Sequence, residues 1–240
     1  MIRELPSETN KQILEQPLLP PTRADWVEQR LRRDVLSGEF APGERLLAAT
    51  LVKRYAVSPT PLREALQRLA TDGLLTMTPQ RGVRVAPISL RSAKEIYELR
   101  SLLEPLALSK SLLRVNTEWQ EKVQRTYCDF TDLLDDENHD LVAAEDLNRA
   151  FHQALLSRCE SRWLLTVVTM LSDHCIRYRL LSFKKRGGRE GVLEEHRAIY
   201  EACMRGDSNA ATQALERHIM STFEGLVAIL EEAGIQEEDD

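Results

Sequence analysis

The chain has 240 residues, with 32 Lys and Arg against 38 Asp and Glu, a formal net charge of −6. That length suits one or two domains with a sizeable core. No apolar run approaches the ~20 residues needed to span a bilayer, and the polar, mixed-charge start MIRELPSETNKQ is unlike a signal peptide. Cys128, Cys159, Cys175 and Cys203 have no CxxC spacing, so free thiols in a reducing cytoplasm are expected.

Residues 1–21 read as a flexible arm ending in Leu18-Leu19-Pro20-Pro21. Ala24 to Leu36 follows as an amphipathic helix, with Trp26, Val27, Leu31, Val35 and Leu36 apolar. Gly38 and Ala41-Pro42-Gly43 then turn the chain. Leu47, Leu51 and Tyr55 recur at i, i+4, i+8, one face of a short helix over Leu47 to Tyr55. Ala56-Val57 is a turn. Ser58 is placed to cap the next helix, its hydroxyl accepting from a first-turn N–H. Pro59 falls at N1, where its missing N–H costs nothing. Leu62, Ala65, Leu66 and Leu69 form the buried face of this second helix, which leaves Thr60, Arg63, Glu64 and Gln67 outward. Asp72-Gly73 stops it, with Gly able to take the left-handed cap. Leu74 to Thr78 and Gly82 to Val85 read as strands joined by the polar tip Pro79-Gln80-Arg81.

Helix, turn, helix and hairpin in that order is the plan of a winged helix-turn-helix, whose second helix enters the DNA major groove. Charge agrees. Residues 23–88 hold eleven Arg and Lys against seven Asp and Glu, a net of +4, which leaves −10 for the rest. A cationic end on an acidic body fits a protein that grips phosphate backbone at one end only.

Beyond residue 92 the strand signals disappear. A long helix opens through Ile96, Leu99, Leu103, Leu106 and Lys110, with a kink or bend expected at Pro105. Helices follow over Trp119–Leu134, Leu141–Cys159, Trp163–Phe183, Val192–Met204 and Asn209–Leu230. The run from Lys184 to Arg189 separates the fourth from the fifth, and Asp207-Ser208-Asn209 starts the last. The fold class is mainly α: a winged helix-turn-helix over 22–88, a linker at 89–92, an all-α antiparallel bundle over 93–230 and an acidic tail over 231–240. His152, His196 and His218 stand on three of these helices, with Asn148 one turn before His152. Imidazole suits Zn, Ni, Cu or Fe. Spacing alone leaves surface or core histidines as the alternative to a metal site.

The first half resembles the DNA-binding domain of the GntR family of bacterial transcription regulators. The resemblance is carried by Pro42-Gly43-Glu44-Arg45-Leu46, Val57-Ser58, Thr60-Pro61-Leu62-Arg63-Glu64-Ala65-Leu66, Leu69, Asp72-Gly73-Leu74 and Arg81-Gly82-Val83. It implies DNA contacts from Arg63, Thr60, Arg45, Gln67, Ser58 and, on the wing, Arg81. Arg63 leads, because Arg can pair bidentately with guanine O6 and N7. Two positions depart from the family pattern. Pro59 stands where the family usually has Arg, and Ala48 where it usually has an acidic residue, which implies an atypical operator.

The second half is similar to the FadR-type C-terminal domain of the same family. The matching residues are Arg100, Leu103-Glu104, Asn148-Arg149-Ala150-Phe151-His152, Glu195-His196, Ala202, Gly206-Asp207, Ala211 and His218-Ile219. The resemblance implies a divalent metal, zinc first and nickel second, held by Asn148, His152, His196 and His218. A neutral amide at Asn148 leaves such a site near +2, where Asp would leave it near +1, and this favours an anionic ligand oxygen. The implied effector is a small organic acid. Arg100 is its first candidate partner through a bidentate fork, followed by His174, Arg177 and Arg179. The implied whole is a homodimeric regulator on double-stranded operator DNA, most often a repressor in this family. The alternatives are a constitutive DNA-binding protein with a structural metal and a metal-dependent hydrolase. The hydrolase needs a general base near the metal, and Glu195, adjacent to His196 on one helix, does not share its face.

Overall fold

The computed structural model describes residues 22–78, 82–136, 139–182 and 188–232. The N-terminal unit comprises α1 (Arg23–Leu36), β1 (Arg45–Leu46), α2 (Ala48–Tyr55), α3 (Pro59–Thr71), β2 (Leu75–Thr78) and β3 (Gly82–Val85). A capping box starts α1: the Thr22 hydroxyl accepts from the Asp25 N–H at 3.1 Å, and the Asp25 carboxylate accepts from the Thr22 N–H at 2.7 Å. One core gathers Val27 and Leu31 of α1, Leu51 and Tyr55 of α2, Leu62 and Leu69 of α3, and Leu74 and Val85 of the hairpin. Trp26 departs from the expected apolar face. It is about half exposed and meets the Tyr55 ring edge-on.

The sheet has three strands rather than the two read from the sequence, in the order β1-β3-β2. The added strand is only two residues long, and its pairing is antiparallel: Arg45 opposes Arg84, and Leu46 opposes Val83. A two-residue strand carries no alternation, so it left no periodic signal. Leu47 is the N-cap of α2 and is more than half exposed, so the buried face of α2 reduces to Leu51 and Tyr55. Ser58 caps α3 without a side-chain hydrogen bond. The reason is in the first turn: Pro59 and Pro61 occupy N1 and N3, and the N3 N–H that a capping hydroxyl commonly uses is absent. Gly73, at φ +70°, ends α3 in the left-handed region.

The C-terminal unit comprises α4 (Leu90–Leu112), α5 (Thr117–Asp135), α6 (Leu141–Leu156), α7 (Arg162–Ser182), α8 (Gly188–Met204) and α9 (Ser208–Glu232). Helix α4 begins inside the stretch 89–92 expected as linker and runs on through Pro105. Its packing against α9 and α7 supports it across the hydrogen bond that the proline cannot make. Helix α6 ends three residues before Cys159, in a turn at Ser157, and α8 starts four residues before Val192. The Asp207 carboxylate caps α9, accepting from the Ala210 N–H at 3.0 Å. Tyr97, Trp119, Phe151, Tyr178, Leu215 and Leu226 centre the bundle core.

The two units touch through α7 and the start of α6. The His174 ring of α7 lies so close to Gly73 that a Cβ there would overlap it, and Arg33 of α1 pairs with Asp140, the N-cap of α6.

Candidate metal centre and DNA-reading face

Three helices of the bundle each contribute one imidazole to a single point. His152 comes from α6, His196 from α8 and His218 from α9; one ring nitrogen of each lies within 4.8 Å of the others, and all three side chains are buried. Asn148, one turn before His152, places its Oδ1 2.8 Å from His196 Nε2. The i, i+4 reading of Asn148 and His152 is therefore realised in space.

The far edges of the rings explain their orientation. His196 Nδ1 is 2.8 Å from the Val192 carbonyl, which can only accept, so the ring donates there. His196 Nε2 then presents a lone pair to Asn148 Oδ1, itself an acceptor, while Asn148 Nδ2 points to Glu145 Oε2 at 3.5 Å. The 2.8 Å approach is met by a proton on Nε2, by a metal beside both atoms, or by the Asn148 amide turned to donate its Nδ2. His218 Nδ1 donates to Glu195 Oε2 at 2.9 Å, and Ser221 Oγ donates to the other oxygen of Glu195 at 2.7 Å. His152 Nδ1 lies 3.7 Å from Glu104 Oε2. Carbonyl or carboxylate partners behind the rings are the usual second support of metal-binding histidines. Three imidazoles with Nδ1 turned outward and an amide oxygen form a donor set that suits a divalent borderline metal.

Two buried ion pairs flank this centre. Arg100 Nε donates to Glu104 Oε1 at 2.6 Å, one turn apart on α4, and the guanidinium sits 5.3 Å from the centre of the Tyr97 ring. Burial pushes the Glu104 carboxyl up, but Arg100 and His152 outweigh it and hold it at about 2. The same pairing raises Arg100 against its own burial. Arg179 of α7 grips both oxygens of Glu145, with Nε 2.9 and 3.0 Å away. Arg179 lines a small cavity with Asn148, His196 and His218, its guanidinium committed to Glu145. Arg100 is next to the centre but is committed to Glu104.

His174 is not at the centre. It lies on the face of α7 that meets Gly73, so its ring belongs to the contact between the two units. Its place three residues before Arg177 carried no information about which face of α7 the cavity occupies. Arg81 and the side chain of Arg177 lie outside the described residues. Sequence reasoning missed the supporting roles of Glu104, Glu145 and Glu195, which depend on contacts between helices. It also missed Arg149, which lines a second cavity of about 190 Å³ with Glu104, His152 and Gln153. A signal for Arg149 existed: Arg149, His152, Gln153 and Leu156 follow i, i+3, i+4, i+7 spacing, one face of α6.

On the N-terminal unit, Ser58, Thr60, Arg63 and Gln67 are all exposed along the outer face of α3. No ion pair holds Arg63 among the described residues, whereas Arg68 on the same helix is taken by Asp25 at 2.7 Å and Glu28 at 3.1 Å. Arg45 extends over Gly82 at the tip end of the hairpin, and Arg84 opposes it across the sheet, its guanidinium donating to the Gly43 carbonyl at 3.0 Å.

Comparison with known proteins agrees with this architecture. Residues 23–85 match the gntR family of bacterial regulatory proteins, and residues 95–221 match the FCD domain. The chain is 35% identical over 200 residues to the uncharacterized HTH-type transcriptional regulator BphR of Paraburkholderia xenovorans, covering 81% of each protein. It is 30% identical to the HTH-type transcriptional repressor GlaR of Escherichia coli, covering 80% of this chain and 90% of GlaR. Among solved structures, Escherichia coli McbR/YncC superposes with a TM-score of 0.68 at 20% identity, over 89% of this chain and 99% of McbR. A putative GntR regulator from Rhodococcus gives 0.69 at 22% identity, over 86% of this chain and 98% of that one. These relatives are transcriptional regulators, not enzymes, and no helix among the described residues is long and apolar enough to cross a membrane. The chain is a GntR-family bacterial transcription regulator, with a winged helix-turn-helix domain followed by an FCD domain.

Proposed function

We propose that this regulator is a homodimeric repressor whose operator binding is controlled by a small carboxylate at a divalent metal centre. His152, His196, His218 and Asn148 hold the metal, zinc first and nickel second. The observation that carries the reading is the convergence of three buried histidine rings, one from each of three helices, with Asn148 beside His196. The metal supplies a Lewis-acidic centre for an anionic oxygen. The protein fixes the donors, excludes water around His196 and His218, and leaves a cavity beside His152.

Arg63 reads bases from α3, with Ser58, Thr60 and Gln67 beside it. Arg45 and the wing residue Arg81 contact backbone or the minor groove. A two-fold dimer matches a pseudo-palindromic operator. Support for self-association comes from α4 and α7, which are adjacent: Leu99, Leu102 and Leu106 at i, i+3, i+7 are exposed on one, and Trp163 and Met170 on the other. Exposed apolar side chains recurring along one helix face mark an interaction surface. Control requires that the effector bind the free and DNA-bound conformations with different affinity; a coupling of about 1–3 kcal/mol changes operator affinity roughly 5- to 150-fold.

The test is a fluorescence anisotropy titration of an operator duplex selected from random DNA by the full-length protein. Chelation of the metal and re-addition of zinc should shift the affinity reversibly. Protein that binds the duplex identically with and without metal would have a structural centre only. Ester or amide hydrolysis that tracks metal content would restore the hydrolase alternative.

A further inference from the structure

A cavity of about 680 Å³ opens where the two units meet. Both units wall it with apolar side chains. Leu36 and Phe40, at and beyond the end of α1, come from the winged unit. Val142 of α6, Leu180 of α7 and Ile229 of α9 come from the helical unit. Ala86, in the stretch that joins β3 to α4, lines it as well. None of the four candidate metal ligands does. A volume of this size with apolar walls is that of a small-molecule site.

The charges around the cavity are of one sign. Its charged lining residues, among those described, are two carboxylates, Asp140 and Glu232. Asp140 accepts from the Val142 N–H at 2.9 Å and pairs with Arg33. That N–H and that guanidinium hold its carboxyl below the ordinary range, so it is ionised at neutral pH. Glu232 is exposed. Two helices also end here, α1 at Leu36 and α9 at Glu232. A helix C-terminus carries about half a negative charge. Arg33 offsets Asp140, which leaves the negative potential centred on the Glu232 end. An anion entering there meets repulsion, and a cation meets attraction.

We propose that this junction is a second ligand site, which takes a hydrophobic amine: its hydrocarbon body packs on Leu36, Phe40, Val142 and Ile229, and its ammonium faces Glu232. The ligand is opposite in charge to the carboxylate assigned to the metal centre, and the site needs no metal. An occupant touches the winged unit and the helical unit at once.

The experiment uses the full-length protein, Nile red as a neutral fluorescent reporter, and three displacing probes of one shape: phenylbutylamine, phenylbutanol and phenylbutanoate. The amine should displace the dye about fivefold more effectively than the alcohol, the upper end for one exposed charge pair. The carboxylate should be weaker than the alcohol. Glu232→Gln, at an exposed position, should make amine and alcohol equal without moving the melting temperature. Val142→Trp puts an indole into the cavity and should remove the dye fraction that the amine displaces. Protein that binds no Nile red, equal displacement by the three probes, or an amine preference that survives Glu232→Gln overturns the proposal. So does amine-sensitive dye binding that persists in Val142→Trp with wild-type helical content. If Val142→Trp does not fold, the Glu232→Gln comparison decides.

Discussion

At Glu104, burial opposes ionisation and Arg100 enforces it. The carboxyl falls from its ordinary 4.5 to about 2, so its pairing stabilises the fold fully above the ordinary value and is lost as pH drops through the folded one. Glu104→Gln leaves Arg100 buried without its charge partner and should cost about 3–5 kcal/mol in urea unfolding at pH 7. It should also flatten the acid limb between those two values. The thiols give a second contrast. Cys203 is buried and pushed up to about 12, while Cys128 is exposed. Iodoacetamide should label Cys128 in the native protein and reach Cys203 only after unfolding. At this scale the sequence was legible where side chains share one helix. The spacing of Asn148 and His152 puts them on one face of α6, and only the family resemblance makes them candidate ligands. Glu104, Glu145 and Glu195 give no such signal, because each acts on a residue whose proximity is set by packing between helices, or, for Glu104 and Arg100, by a burial that spacing cannot show.

Among the elements, α3 separates binding from stability. Arg63 is exposed and not held by any ion pair among the described residues. Arg63→Ala should therefore leave the melting temperature unchanged and weaken specific operator binding by about 1–3 kcal/mol in an anisotropy titration. Gly73 behaves oppositely. Its φ of +70° and the His174 ring leave no place for a side chain. Gly73→Ala should destabilise by about 1–3 kcal/mol, seen as a lower urea midpoint. The long helices were legible because their apolar faces repeat over several turns, and their ends moved by a few residues where caps were weak. Two features escaped for physical reasons: β1 is too short to show a period, and Ser58 lost its capping role because Pro61 takes away a donor.

For the whole molecule, a cationic winged unit sits on an acidic helical body, and α7 lines the cavity beside His152 on one face and touches Gly73 on the other. The exposed α4 face predicts its own test. Leu102→Glu with Leu106→Glu places charge in the proposed interface, so sedimentation should show a monomer with the helical content of the wild type and poor operator affinity. The central claim is that the three histidines and Asn148 are a metal centre and not a polar core, and it rests on one quantity. Elemental analysis of purified wild-type protein and of His218→Ala, both after gel filtration, tests it directly. Divalent metal stoichiometric with the wild-type chain and absent from the variant is the predicted result. Wild-type protein that stays metal-free after incubation with zinc and with nickel would contradict it.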